Sequence, residues 1–233
     1  MSQQFFRFPH TPHLDWLGAG SPRDDKVLTK TEVVVLLAGP VVVEEKVDGA
    51  NLGLSVDPDR QILAQNRGQY VLPPFTGQFS RLAGWLAQHR VALVDQLSSD
   101  WILFGEWCAA KHSLEYTGLP DWFVLFDVYD RIEDRFWSTR RRNVLADSLG
   151  LAVAPEILRG RTTLPDLRKR LESETSRYRA GPLEGLVIRR ESADWCEARA
   201  KLVRKEFTQA IGEHWRSRRI EWNQLRAGVE TLS

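Results

Sequence analysis

Apolar positions in this 233-residue chain gather in short runs, and most of those runs end in charge. Val41-Val42-Val43 is β-branched, follows the Gly39-Pro40 turn and predicts a buried strand running into Glu44-Glu45-Lys46. Residues 52–56 alternate as a second strand, Asp57-Pro58-Asp59-Arg60 reads as a turn, and residues 61–66 return as the antiparallel partner. Trp101-Ile102-Leu103-Phe104, residues 122–128, Leu186-Val187-Ile188 and Leu202-Val203 predict further strands. Helical spacing is rarer. A Thr cap predicts a short helix over residues 29–37, and Phe79, Leu82, Leu86, Leu93 and Leu97 predict an amphipathic one over 78–97. Residues 140–149, closed by Gly150, and 164–178, with a basic outer face, predict two more, and 206–225 a last one. Residues 1–21 carry aromatics, Pro and His without period and read as an irregular arm with no visible chemistry. Hairpins first and helices interspersed later predict an α+β fold on antiparallel sheets, with the chain as one domain.

Composition narrows this only a little. A formal net charge of +1 argues against bulk polyanion binding, so any nucleic-acid contact must come from local patches. Two distant cysteines, Cys108 and Cys196, indicate neither a disulfide framework nor a zinc site, which makes a cytoplasmic setting the default expectation. No apolar run approaches a membrane span and the N-terminus lacks a signal-peptide core, so no membrane partner is expected. Nine tryptophans are many for this length and leave room for a stacking surface besides the core. No Gly-rich phosphate loop of either common type occurs, so a nucleotide would not be held on a helix N-terminus.

The densest chemistry lies in Glu44-Glu45-Lys46-Val47-Asp48-Gly49-Ala50-Asn51. If extended geometry persists, Lys46 and Asp48 share a face with Glu44, while Glu45 and Val47 point away. Such a lysine among carboxylates is either a surface ion-pair cluster or a reactive amine in a pocket. Elsewhere Arg67, Glu106, Glu184 and Lys201 also stand at the ends of apolar strands or hairpin arms, where each could face a common cleft.

Six strings occur in one order: Lys46-Val47-Asp48-Gly49, Asn66-Arg67-Gly68, Phe104-Gly105-Glu106, Trp122 through Asp127, Glu184-Gly185-Leu186-Val187-Ile188-Arg189, and Ala200-Lys201-Leu202-Val203-Arg204. In that order they resemble the motifs of the covalent nucleotidyltransferase superfamily, which comprises ATP-dependent RNA and DNA ligases and mRNA capping enzymes. Lys-Val-Asp-Gly-Ala-Asn and the ending Lys-Leu-Val-Arg-Lys-Glu-Phe look most like the RNA ligase branch. The resemblance implies an antiparallel-sheet adenylyltransferase domain, with ATP as AMP donor and Mg²⁺ or Mn²⁺ as cofactor. It implies that Lys46 is the nucleophile that becomes lysyl-AMP, and that Asp48 and Glu184 serve the metal. Glu106 would hold the ribose, Arg67 ribose or phosphate, and Lys201 the α-phosphate. Phe123 would stack on adenine, with Trp122 as the alternative, and the backbone or side chain just before the lysine would read the base, which favours Glu45 with Glu44 as the alternative.

One departure stands out. Relatives often carry a second lysine two residues after the first in the last motif, where this chain has Val203; Arg204 or Lys205 would have to substitute. After Lys201 too few residues remain for the oligonucleotide-binding (OB) barrel that capping enzymes append, so a domain without it, and not a guanylyltransferase, is expected. Basic residues Arg140, Arg204, Lys205 and Arg216, the last beside His214, Trp215, Arg218 and Arg219, are either solvated helix faces or a phosphate-tracking groove. The expected partner is RNA bearing 5′-phosphate and 3′-hydroxyl ends, with an end-healing kinase as a further one. A DNA or mixed-duplex nick ligase and a non-ligating RNA-binding module are the competing readings.

Overall fold

A computed structural model describes residues 4–20, 22, 25–208 and 220–228. Two sheets carry the architecture. Strand β1 (Val41–Lys46) lies inside a four-stranded sheet with β8 (Glu156–Gly160), β9 (Gly185–Glu191) and β10 (Cys196–Val203), in the order β10-β9-β1-β8. The second sheet contains β2 (Ala50–Val56), β3 (Ile62–Gln65), β4 (Trp101–Trp107), β5 (Phe123–Asp130) and β6 (Arg135–Phe136), in the order β3-β2-β4-β5-β6. Strand β7 (Ala152–Val153) adds to β5 in parallel, the one departure from antiparallel pairing among the named strands. The mixed helix and antiparallel-sheet class expected from the sequence is therefore the observed one.

Strands β1 and β2 are consecutive but belong to different sheets, and the chain crosses between them at residues 47–49. Lys46 is thus the last residue of one sheet and Asn51 lies near the start of the other. Gly49 is required at this crossing because a Cβ there would sit 2.6 Å from the Trp107 carbonyl oxygen. Its role is close backbone packing, not room for a ligand.

Helices cover the outer faces. In α1 (Lys30–Leu37) the Thr cap expected from the sequence is present, and the Glu32 carboxylate completes it as a reciprocal capping box, an arrangement worth about 1 kcal/mol. Helix α2 (Leu82–Gln96) follows a 3-10 turn at Gly77–Phe79 and buries Leu82, Trp85 and Leu93 against the β2–β5 sheet. Helix α3 (Thr139–Leu149) is capped by Ser138 and closed by Gly150 at φ 65°, where a left-handed residue favours glycine.

One helix expectation fails for a visible reason, and a second fails at its described end. Helix α4 (Leu164–Ser173) stops short of residue 178 because Glu174 turns extended, which lets the Arg177 N–H come back to the Glu45 carboxylate at 2.9 Å. The last described helix, α5, covers Lys205–Thr208; the helix expected over 206–225 falls in part outside the described residues, and its described end, residues 220–225, instead runs along the 109–119 loop, with Trp222 bridging Ala110 and Leu225 bridging Leu119. Among the described residues no helix is long and apolar enough to cross a membrane.

Candidate active site

A cleft of about 130 Å³ opens between the sheets, lined by the end of β1 and by residues of β2, β4, β5, β9 and β10. The N-terminal arm also reaches it, through Phe8 and Thr11. Lys46 projects into it from β1, and its Nζ donates to both oxygens of Glu184, at 2.7 and 2.6 Å. Burial by itself would lower the Lys46 pKa. The Glu184, Glu106 and Asp48 carboxylates outweigh that and hold the ammonium above the ordinary lysine range. Burial, reinforced by repulsion from Asp48, in turn pushes both Glu106 and Glu184 up to about 7, although Lys46 pulls the other way.

Asp48 is buried just beyond the strand, where alternation no longer governs its direction. Its Oδ2 accepts from the Ser113 and Leu114 N–H groups at 2.6 and 2.8 Å, and its own N–H donates to the Tyr116 hydroxyl at 2.9 Å. Glu45 lines the cleft with Oε1 buried and unpartnered, and burial raises its pKa despite the Arg177 N–H on Oε2. Asn51 Oδ1 and Arg67 Nε are likewise buried without a partner, and both residues line the cleft. Three unsatisfied polar atoms around one cavity mark it as built for a polar ligand, since such atoms are normally paired.

Lys201 enters from β10. Its ammonium is held by Asp25, whose carboxylate also meets His10 Nδ1 at 2.6 Å and lies 3.7 Å from His13 Nε2. Burial lowers the Lys201 pKa, with Asp25 opposing and Lys46 and Arg67 adding to the fall. Burial, then Lys201, lowers His13 to about 4, so its imidazole is neutral at physiological pH. The arm holds this place through backbone bonds from Lys201 to Pro12 and from Leu14 to Lys201, at 2.8 and 2.7 Å. Sequence reasoning saw no chemistry there, and a contact between residues so far apart leaves no local signal.

The inner wall is an arginine–carboxylate network that the sequence reading also missed. Arg142 from α3 grips Glu44 with both terminal nitrogens, at 3.2 and 2.6 Å. Arg189 and Arg199 share Asp127, at 2.7 and 2.5 Å. The signal was present: Val187 and Arg189 on β9, and Arg199 and Lys201 on β10, sit at the period of two that places alternate residues on the cleft side.

Several expected site residues are placed elsewhere. Phe123 is fully buried and packs its ring 5.4 Å from that of Trp85, on the α2 side of the sheet, so it cannot stack on a base in the cleft. Val124 and Phe126 line the cleft instead; pairing slips between Phe104 and Gly105, which leaves Phe126 without a direct partner on β4. Trp122, the alternative, is buried outside the cleft under Arg81. Arg204 donates to the Leu171 and Glu172 carbonyls and closes the end of α4. Neither it nor Lys205 lines the cleft, so neither substitutes there for the missing lysine; Arg199, two residues before Lys201, is the basic neighbour on that face. Val203 is buried. Arg140 is exposed, 3.7 Å from Asp194, and borders a separate shallow hollow with Arg159. Arg216, with His214, Trp215, Arg218 and Arg219, lies outside the described residues.

Among the described residues no three His, Cys, Asp or Glu side chains are grouped as a metal cage. The donor chemistry nevertheless fits a hydrated hard cation, which keeps most of its waters and takes one or two carboxylates. Asp48, Glu106 and Glu184 together carry more negative charge than Lys46 cancels, and a divalent ion would relieve the repulsion that raises the two glutamates.

An RNA ligase family model matches residues 39–203. No curated protein matches the chain in sequence. Solved structures of Naegleria gruberi RNA ligase share the fold. A complex with PPi superposes with a TM-score of 0.60 at 16% identity, over 88% of this chain and 63% of that one. A variant with ATP and Mn gives 0.61 at 15% identity, over 86% and 62%. Another variant with ATP and Mn gives 0.56 at 16% identity, over 76% and 53%, so this chain spans roughly half to two thirds of the length of those proteins.

Proposed function

The chain belongs to the RNA ligase family, and from that premise we propose that it is an ATP-dependent RNA ligase that works through a lysyl-AMP intermediate on Lys46. The observation that carries this reading is the placement of the Lys46 ammonium against Glu184, in a cleft whose Glu45, Asn51 and Arg67 each keep a buried polar atom unpaired.

Only a neutral amine attacks phosphorus, so the Lys46 ammonium must first give up a proton. Glu184 touches Nζ and is the nearest acceptor, able to take the proton once phosphate-side positive charge offsets the carboxylates that hold the ammonium. The Lys46 nitrogen then bonds to the α-phosphorus as the bond to pyrophosphate breaks. Lys201 and Arg67, both lining the cleft, supply positive charge to phosphate oxygens. Glu106 has two oxygens to accept from ribose hydroxyls, and Glu45, which lines the cleft with Val124 and Phe126, would meet the base. Mg²⁺ or Mn²⁺, held by Glu184 with the Asp48 carboxylate behind the cleft lining, would when bound neutralise phosphate oxygens and the surplus carboxylate charge. AMP next passes to the 5′-phosphate of an RNA end, and a 3′-hydroxyl displaces it to seal the strand.

The test is sealing itself. Wild type and Lys46→Ala are offered ATP, Mg²⁺ and 5′-phosphorylated RNA, nicked RNA duplex or nicked DNA. The proposal expects RNA sealed by wild type and by none of the variant preparations. Sealing confined to all-DNA nicks would overturn the substrate assignment.

A further inference from the structure

The loop that follows β4, residues 108–121, contains no regular element, yet it supplies the partners of Asp48. Such a loop needs its own buried N–H and C=O groups satisfied from outside. Residues 220–228 do this. Backbone bonds join Asn223 to Ala109 (3.0 Å), Lys111 to Glu221 (2.8 Å), Gln224 to Tyr116 (2.8 Å) and Leu119 to Gln224 (3.1 Å). Trp222 lies under the Arg81 guanidinium, 4.5 Å from its ring centre, and that guanidinium also covers Trp122.

Asn223 is the centre of the arrangement. It is 3% exposed, its Oδ1 accepts from the Tyr116 N–H at 2.8 Å, and its Nδ2 donates to the Cys108 and Ala110 carbonyls at 2.8 and 3.2 Å. A side chain that accepts once and donates twice must be an amide; a carboxylate lacks the donors and an aliphatic residue lacks both. The groups it fixes flank Ser113 and Leu114, whose N–H groups hold Asp48 Oδ2, while Tyr116 also receives the Asp48 N–H. An unbroken series of bonds therefore runs from Asn223 through the loop to the carboxylate two residues from Lys46.

We propose that residues 220–228 act as a strap that sets the position of Asp48, with Asn223 as a positioning residue for adenylylation. The proposal rests on the reading of Lys46 as nucleophile. Asp48 is held by the loop behind the cleft lining, two residues from Lys46, so loosening it is expected to slow the chemical step more than it weakens ATP binding.

The experiment compares full-length wild type with Asn223→Ala by amide hydrogen exchange and by single-turnover AMP labelling across ATP concentrations. The Ser113 and Leu114 amides are expected to lose protection while β1 and β9 keep theirs. Labelling at saturating ATP is expected to slow about 10-fold or more, the range seen when a residue behind a site ligand is removed, with a smaller change in the ATP concentration for half-maximal rate. Retained protection at Ser113 and Leu114, equal loss across β1 and β9, or a rise in half-maximal ATP matching the fall in rate would each overturn it. If Asn223→Ala does not fold, Asn223→Ser is measured against the same outcomes. The exchange result reads the strap even if wild type takes no label, so failure of the ligase reading would be seen separately.

Discussion

Glu106→Gln tests the charge balance of the cleft in a quantity independent of turnover. Glu106 has a folded pKa of about 7 against an ordinary 4.5, because burial and the Asp48 and Glu184 carboxylates outweigh Lys46 and Arg67. The folded state therefore holds a proton that the unfolded chain has released, and stability falls as pH rises from about 4.5 through 7. A shift of this size corresponds to an upper limit of roughly 3 kcal/mol at pH 8, at 1.36 kcal/mol per unit. Glu106 keeps some contact with solvent, and neutralising it also relieves Glu184, so about 1–2 kcal/mol is the expected gain for glutamine. For a chain of this size that is roughly 2–8 °C in Tm at pH 8, shrinking to a small difference at pH 5. The same change takes away a carboxylate oxygen proposed for the ribose hydroxyls, so ATP binding should weaken as stability rises. Thermal unfolding of both proteins at pH 5 and pH 8 checks this. A variant that melts lower at pH 8, or a difference that does not depend on pH, would refute the charge argument.

Asp25→Asn removes the carboxylate that holds the Lys201 ammonium. With a partly buried pair worth about 1 kcal/mol, ATP should bind roughly 5-fold tighter by titration calorimetry, and unchanged or weaker binding would show that Asp25 does not compete with phosphate. Phe123→Ala should cost about 3–5 kcal/mol in chemical denaturation as a core cavity. Its ATP affinity, measured on the folded fraction, should stay near that of wild type, whereas Val124→Trp should fill the cleft and abolish ATP binding. The reverse order of nucleotide effects would return the base-stacking role to Phe123.

Where a residue's position follows from its place on or beside a strand, the sequence was a good guide. Lys46, Glu106, Glu184 and Lys201 come from separate strings, and β1, β4, β9 and β10 bring them to the same cleft region because apolar alternation fixes their pairing partners. Phe123 was misplaced because alternation alone cannot show a slip such as that between Phe104 and Gly105, and an aromatic in a strand serves either face equally well. Residues 206–225 have helix-compatible composition, and 206–208 are helical, but residues 220–225 take their backbone partners from the 109–119 loop, an outcome decided by tertiary contacts. Asp25 on Lys201, Arg142 on Glu44 and Asn223 on Tyr116 join positions about a hundred or more residues apart. Their chemistry is plain once they meet, but nothing local announces the meeting.

The central claim is that Lys46 is the nucleophile, and it is tested most directly by finding where AMP goes. The pure protein is incubated with ATP and Mg²⁺, digested under conditions that preserve phosphoramidates, and its peptides are mapped by mass spectrometry. The account predicts a single acid-labile AMP adduct on the peptide containing Lys46, lost in Lys46→Ala and discharged by pyrophosphate. An adduct on another residue, or one that persists in Lys46→Ala, would contradict it.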